Sequence, residues 1–407
     1  MQSPLYMRAE EYSAVLRPRL VKLRRDFYMH PELSGEEQRT AQVVADRLRA
    51  LGLTVQTGVG GYGVVGVLQG AHPGPIVAYR ADMDAMPVQD TLETDYCSPI
   101  LGVKHACGHD VHMAVALGVA ETLVALRDEL TGTVRFIFQP AEESMEGARA
   151  MLAEDVLGAP APEAIFALHA FPIPIRTVGL ATGTCLAGME EFIVRFHGAP
   201  NNLDVAMTRA TSVLRTHVTA PPTNMAAFDA LVGAMRAGEV PEGEILVSCW
   251  PLVDFPGLGD CLLVLASFAS GAAQDAVRTR IRAVLDSVAA ETGTTYDLTS
   301  TFGNPLLVND AAIVRGVLPL LEATVGPENV WLFHSLYPYA HEDFALYLDH
   351  VPGALLWLGI ANPEKGITSL LHASDFDVDE DALVIGVQVI TRILLHFLVQ
   401  KSHDTPL

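Results

Sequence analysis

The run His105-Ala106-Cys107-Gly108-His109-Asp110-Val111-His112 packs three His, a Cys and an Asp into eight of the chain's 407 residues. No other stretch is as rich in metal-ligand and proton-handling groups, and the rest of the chain reads as scaffold, further ligands and substrate walls around it. Cys107-Gly108-His109 sets a thiolate and an imidazole one residue apart on a bend that opens a helix, so both can converge on one ion or on two neighbouring ions. The positive end of that helix favours the thiolate.

Further candidate ligands are Glu143 and His169 at expected strand ends, and His372 far downstream. A mixed sulfur, nitrogen and oxygen set suits Zn²⁺ and tolerates Mn²⁺ or Co²⁺. One thiolate and one carboxylate could each bridge a pair of ions, which two-metal hydrolases hold roughly 3.5–4 Å apart. Spacing alone also fits hydrogen-bonded core histidines and a Cys that serves as a small hydrophobe. Glu142 beside Glu143 sharpens the metal reading, because adjacent carboxylates after an apolar strand repel unless a cation compensates. One carboxylate would then serve the metal and the other would act as general base and acid toward activated water. Two solvated glutamates starting a helix fit that pair as well.

Mixed composition and a large apolar fraction make this a globular chain. With 26 Lys and Arg against 48 Asp and Glu, the formal net charge is −22, which argues against nucleic acid and against an anionic membrane surface. Cys97, Cys107, Cys185, Cys249 and Cys261 are odd in number and scattered, as expected of reduced thiols in a cytoplasmic protein. The first 26 residues lack the apolar core of a signal peptide. Ala382 to Val399 is apolar but broken by Gln388, Thr391, Arg392 and His396, so it reads as a closing helix and not a membrane span.

Helices are expected over Glu10–Met29, Glu36–Leu51, from His109, and over Ser144–Ala153; strands over Gly63–Leu68, Pro75–Ala81, Thr131–Gln139 and Ala164–Leu168. Polar clusters at the strand ends match the ligand crevice of an open α/β sheet. The fold class is therefore α/β, with a mixed, mostly parallel sheet flanked by helices. Near 187–300 the pattern becomes that of an inserted α+β module, with strands at Glu190–Phe196, Glu244–Cys249 and Cys261–Ser267 and helices at Leu203–His217, Ala226–Arg236 and Ala272–Glu291. Residues 1–186 and 301–407 would form one discontinuous catalytic domain. Gly58-Val59-Gly60-Gly61-Tyr62-Gly63 fits G-x-G-x-x-G but precedes a strand, so no dinucleotide site is read there.

Met29-His30-Pro31-Glu32-Leu33-Ser34, Arg80-Ala81-Asp82-Met83-Asp84-Ala85, the octapeptide, Phe136 through Glu143, Ile165 through His169, His341-Glu342-Asp343-Phe344 and Leu371 through Phe376 occur in order. Together they resemble the aminoacylase, hippurate hydrolase and auxin-conjugate hydrolase branch of the co-catalytic metallopeptidases. The resemblance covers about 1–185 and 300–407. It implies a two-metal amidohydrolase acting on the amide of an N-acyl amino acid or related conjugate by metal-activated water. The implied ligands of two divalent ions (Zn or Mn, with Co or Ni also admissible) are Cys107, His109, Glu143, His169 and His372. Glu142 is the implied base, and Asp82 and Asp110 the implied carboxylates that orient ligand imidazoles. A homodimer through the lid would fit the family.

The inserted module departs from that family. Its usual G-K-G-G-H-A-A-x-P-H segment, whose His polarises the substrate carbonyl, is replaced by Phe196-His197-Gly198-Ala199-Pro200-Asn201-Asn202-Leu203-Asp204. The N-V-I-P and G-T-x-R segments are missing, with Glu239-Val240-Pro241-Glu242-Gly243-Glu244 and Val264-Leu265-Ala266-Ser267-Phe268 in their place. His341 stands where the family has Gly or Ala. Loss of an oxyanion donor typically costs about 10²–10³ in rate, so His334, His341 or His217 is expected to compensate. Amide formation or acyl transfer on the same metals, or metal binding without catalysis, are the alternative readings. Substrate contacts are not assigned from the sequence.

Overall fold

Pro18 divides what apolar spacing reads as one N-terminal helix. The computed structural model describes residues 4–215, 221–240, 244–255 and 259–399; His217 and residues 241–243 lie outside them. The chain opens with α1 (Pro4–Val15), α2 (Arg17–Tyr28) and α3 (Gln38–Ala50), and Pro18 sits in the first turn of α2, where its missing N–H costs nothing. β1 (Thr54–Val59), β2 (Gly63–Gln69), β3 (His72–Asp82), α4 (His109–Ala125), β4 (Thr131–Gln139) and α5 (Gly147–Ala153) follow. Then come β5 (Ala164–Pro174), β6 (Val178–Ala181) and β7 (Thr184–Leu186). The inserted segment supplies β8 (Gly188–His197), α6 (Pro200–Arg215), α7 (Met225–Ala237), β9 (Glu244–Phe255), β10 (Gly259–Phe268), α8 (Gly271–Thr292) and β11 (Thr295–Asn304). β12 (Leu307–Val308), α9 (Ala311–Val325), β13 (Val330–Phe333), α10 (Ala345–Leu348), β14 (Gly353–Ala361) and α11 (Ala382–Val399) complete it.

Eight strands form one sheet in the order β1-β2-β4-β3-β5-β14-β6-β13, and four of its seven neighbouring pairs are parallel. β14 is buried along its whole length and β5 at all but its last residue, as parallel strands covered on both faces must be. α4 and α11 cover one face. α4 is buried on nearly every side, which explains why His109, Asp110 and His112 can share one helix with Val111, Met113 and Val115 away from water. α11 has the length and apolarity of a membrane span, but most of it packs inside this core. The glycine motif at 58–63 is the turn between β1 and β2, where Gly58, Gly60 and Gly61 all have positive φ.

β8, β9, β10 and β11 form a separate antiparallel sheet, and α6 and α8 pack on it around Val194, Leu262, Val264 and Ile281. α7 does not join them. Its Phe228, Val232 and Met235 enter the core built from Phe171, Phe333 and Trp357, so part of the inserted segment walls the larger sheet.

Arg24 of α2 joins the N-terminal helices to the start of α4. Its guanidinium lies 2.6 Å from Asp110 and 3.1 Å from Asp377, with the Arg24 and Asp110 side chains both fully buried. Arg24→Ala strands the Asp110 charge and should cost about 3–5 kcal/mol in urea unfolding of the metal-free protein. A loss under about 1 kcal/mol, the scale of an exposed pair, would contradict this role.

Candidate metal centre

Three backbone features aim the donors. Gly108 caps α4 with φ 89°, and a Cβ there would come within 2.7 Å of the Ala170 Cβ, so the bend between Cys107 and His109 requires glycine. His372 has φ 66°, a conformation that costs a non-glycine residue energy, and its N–H donates to the Ala106 carbonyl at 2.8 Å. Ala141, at φ 53°, turns the chain so that Glu142 and Glu143 both reach the cluster; its N–H donates to buried Glu37 at 2.8 Å. His169 lies inside β5, not at its end, and pairs in register with Trp357 of β14.

The five expected ligands converge. Cys107 Sγ is 3.5 Å from His169 Nε2 and 3.2 Å from His372 Nε2. Cys107, His109 and His169 offer donor atoms within 4.8 Å of one another, and so do Cys107, Glu143 and His372. The thiol is common to both trios. His109 Nδ1 donates to the Asp84 carbonyl at 2.8 Å and His169 Nδ1 to the Ala170 carbonyl at 2.7 Å, which leaves each Nε2 lone pair facing inward.

Without a cation this cluster is electrostatically poor. Burial, then Glu143 and Glu142, raises the Cys107 thiol well above its usual range. Burial, then Glu342 and Glu143, raises Glu142 well above the usual carboxylate range. Burial pushes Glu143 up to about 7 against the pull of His109. Burial opposes charge on His109, but Asp82 and Asp84 outweigh it and hold its pKa at about 10. His109 Nε2 and Glu143 Oε1 are buried without a hydrogen-bond partner among the described residues. Orphaned donors and mutually repelling acids are what a bound cation would relieve, so the residues fit divalent metals.

The two expected orienting carboxylates lie in different surroundings. Asp110 faces Arg24, because it leaves α4 on the α2 side, and none of its hydrogen bonds goes to a ligand imidazole. Asp82 bonds His112 Nδ1 at 2.6 Å and Arg80, and stands 3.8 Å from His109 Nδ1. Asp84 is the closer carboxylate to His109, at 3.3 Å. His112 spends both nitrogens, donating to Asp82 and accepting the Ala170 N–H at 2.7 Å, so it braces the strand of His169. His105 is buried with neither ring nitrogen paired among the described residues. The Arg80-x-Asp82-x-Asp84 spacing, with Asp84 just past the end of β3, was the sequence signal for Asp84. Arg80 is itself buried among Asp82, Glu342 and Asp343.

A cavity of about 390 Å³ opens beside the cluster, walled by Phe171, Phe228, Tyr337 and Trp357. The Phe171 and Trp357 rings lie 4.3 Å apart, and Phe171 is 5.2 Å from Phe228. His341 reaches this cavity, held by Ser267 of β10 at 2.9 Å. His334 is exposed and absent from the cavity wall, and His197 pairs with Asp297 at the surface.

Residues 78–396 match the model of Peptidase family M20/M25/M40. The chain is 31% identical over 389 residues to the N-acetylcysteine deacetylase of Bacillus subtilis, covering 92% of this chain and 96% of that one. It is 30% identical over 387 residues to thermostable carboxypeptidase 1 of Saccharolobus solfataricus, covering 90% and 92% respectively. Its fold is similar to the crystal structure of a dinuclear metal-binding peptidase from Bacillus subtilis, with TM-score 0.74, 28% identity and coverage of 95% of this chain and 99% of that chain.

A thiol common to both trios predicts unequal losses. Equilibrium dialysis against Zn²⁺ should give about two ions per chain for the unaltered protein, about one for His372→Ala and none held tightly by Cys107→Ala. Retention of both ions by Cys107→Ala would contradict the shared-thiolate geometry.

Proposed function

The chain belongs to peptidase family M20/M25/M40, and on that footing we propose that it hydrolyses the amide bond of an N-acyl amino acid or related conjugate. Membership makes it a metal-dependent amidohydrolase. The observation that carries the finer reading is the pair of donor trios joined at Cys107 with Glu142 beside them. Cys107, His109 and His169 would hold one divalent ion, and Cys107, Glu143 and His372 the other. Thiolate, imidazole and carboxylate together suit Zn²⁺ or Mn²⁺. Bound there, two such ions supply Lewis acidity toward a carbonyl oxygen and lower the pKa of water.

The chain's own groups do the rest. Glu142 Oε2 lies 3.8 Å from His109 Nε2, at the edge of the cluster and facing the cavity. It takes a proton from water and returns it to the departing nitrogen. Glu37 fixes the turn that carries it through the N–H groups of Gly35 and Ala141. Phe171, Phe228, Tyr337 and Trp357 pack the acyl group and exclude water. His341, steadied by Ser267, takes the place of the missing lid histidine beside the carbonyl. All five cysteines are unpaired, which supports a cytoplasmic setting.

Glu142→Gln should lower kcat about 10²–10⁴-fold on a panel of N-acyl amino acids and their amides while the metal content stays unchanged. Full turnover by that variant would remove Glu142 from the mechanism.

A further inference from the structure

A run of rings leads from the donor cluster along the cavity wall. The Trp357 ring lies 5.5 Å from that of His169, the Phe171 ring 4.3 Å from Trp357, and the Phe228 ring 5.2 Å from Phe171. Trp357 and Phe171 stand on β14 and β5, which pair in parallel and are buried, so neither ring gives way without opening the core. Tyr337 edges the same wall, 5.3 Å from Phe171, and its N–H donates to the Cys185 carbonyl at 2.9 Å. Phe228 has a different origin. It comes from α7, which the inserted segment lays against the larger sheet, and Pro221 and Pro222 just before that helix reach the cavity too.

α7 is fixed at both ends. The Asn224 side chain caps its start, accepting the Ala227 N–H at 3.0 Å, and Gly238 closes it in the left-handed conformation. The Met235 carbonyl accepts the N–H groups of His334 at 2.9 Å and Ser335 at 3.1 Å, and the Arg236 guanidinium sits 4.4 Å from the centre of the Trp331 ring. Phe228, Val232 and Met235 share one face of the helix, and all three are buried. The Phe228 ring is therefore a wall held in place by its own helix, with apolar side chains next along the same face.

We infer that Phe228 is a specificity-determining residue of the acyl site: its ring closes the far end and sets the longest unbranched acyl group the protein accepts. This inference rests on the amide-hydrolase reading above and names the dimension along which its substrates are selected. A chain that reaches the ring gains contact with each methylene, whereas a longer one must displace a buried aromatic side chain from a packed helix. Shortening residue 228 opens apolar room toward Val232 and Met235, and each methylene that enters it is worth about fourfold in binding.

The test is kcat/KM of the metal-loaded protein on N-acylglycines with unbranched acyl chains from acetyl to dodecanoyl, for the unaltered protein, Phe228→Leu and Phe228→Ala. The unaltered protein should show an optimum length and a fall beyond it. The optimum moves to longer chains in Phe228→Leu and further in Phe228→Ala, whose preference for the longer chain over the original optimum rises about 10-fold or more. Preference among glycine, leucine and phenylalanine as the amine, at one acyl length, stays as it was. A profile with no fall in the unaltered protein, one optimum shared by all three proteins, or a shift in amine preference in place of acyl length overturns the inference. Phe228→Leu, which leaves most of the core filled, carries the comparison if Phe228→Ala does not fold. If no N-acylglycine is hydrolysed, which would count against the hydrolase reading alone, alkyl hydroxamates of the same chain lengths decide the matter, since they chelate divalent ions and need no turnover. Their binding to the same metal-loaded proteins by isothermal titration should show the same shift in optimum length. An unmoved optimum, or no saturable binding at any length, overturns the inference.

Discussion

Buried negative charge in excess of buried positive charge is the constraint on which the rest of this structure depends. Asp82, Asp84, Glu142, Glu342 and Asp343 are buried around one point, with Glu143 only slightly open to solvent. Arg80 answers three of them and His109 lies within 4 Å of Asp82, Asp84, Glu142 and Glu143. Glu142, Glu143 and the Cys107 thiol are pushed toward their protonated forms. A fold that keeps such a cluster away from water stabilises it by binding cations, and the inward lone pairs of His109 and His169 are arranged for that.

The scaffold follows from the same demand. Donors must be rigid, so they stand on the most buried elements: α4 for His109, β5 for His169, and turns pinned by Glu37 and the Ala106 carbonyl for Glu142 and His372. Positive φ at Gly108, Ala141 and His372 is the conformational cost of bringing these turns together. Arg24 then carries the tension outward, since the helix that begins at the cluster is tied to α2 through Asp110.

Much of this was legible in the chain itself. Cys107 and His109 declared themselves by clustering, Glu142 and Glu143 by adjacency, and α11 by an apolar run interrupted at Arg392 and His396. Strands β2 to β5 were legible from their apolar runs; β1, whose Thr54, Gln56 and Thr57 face solvent, and the four-residue β6 and β13 were not. What escaped was pairing. Which of Asp82 and Asp84 serves His109, that Asp110 turns to Arg24, and that His112 braces β5 all depend on contacts between elements far apart in sequence. α7 escaped for a like reason: Phe228, Val232 and Met235 have helical spacing whichever core they enter. The two aspartates assigned by analogy were the least secure because a carboxylate near a His in sequence says nothing of its direction in space.

X-ray absorption at the zinc edge of the doubly loaded protein addresses the shared thiolate most directly. The account predicts a sulfur scatterer in every zinc site at roughly 2.3 Å, since one thiolate serves both ions. It also predicts a zinc–zinc distance of roughly 3.5–4 Å. A spectrum with sulfur on only half of the zinc, or with no zinc–zinc scattering, would contradict a bridge at Cys107.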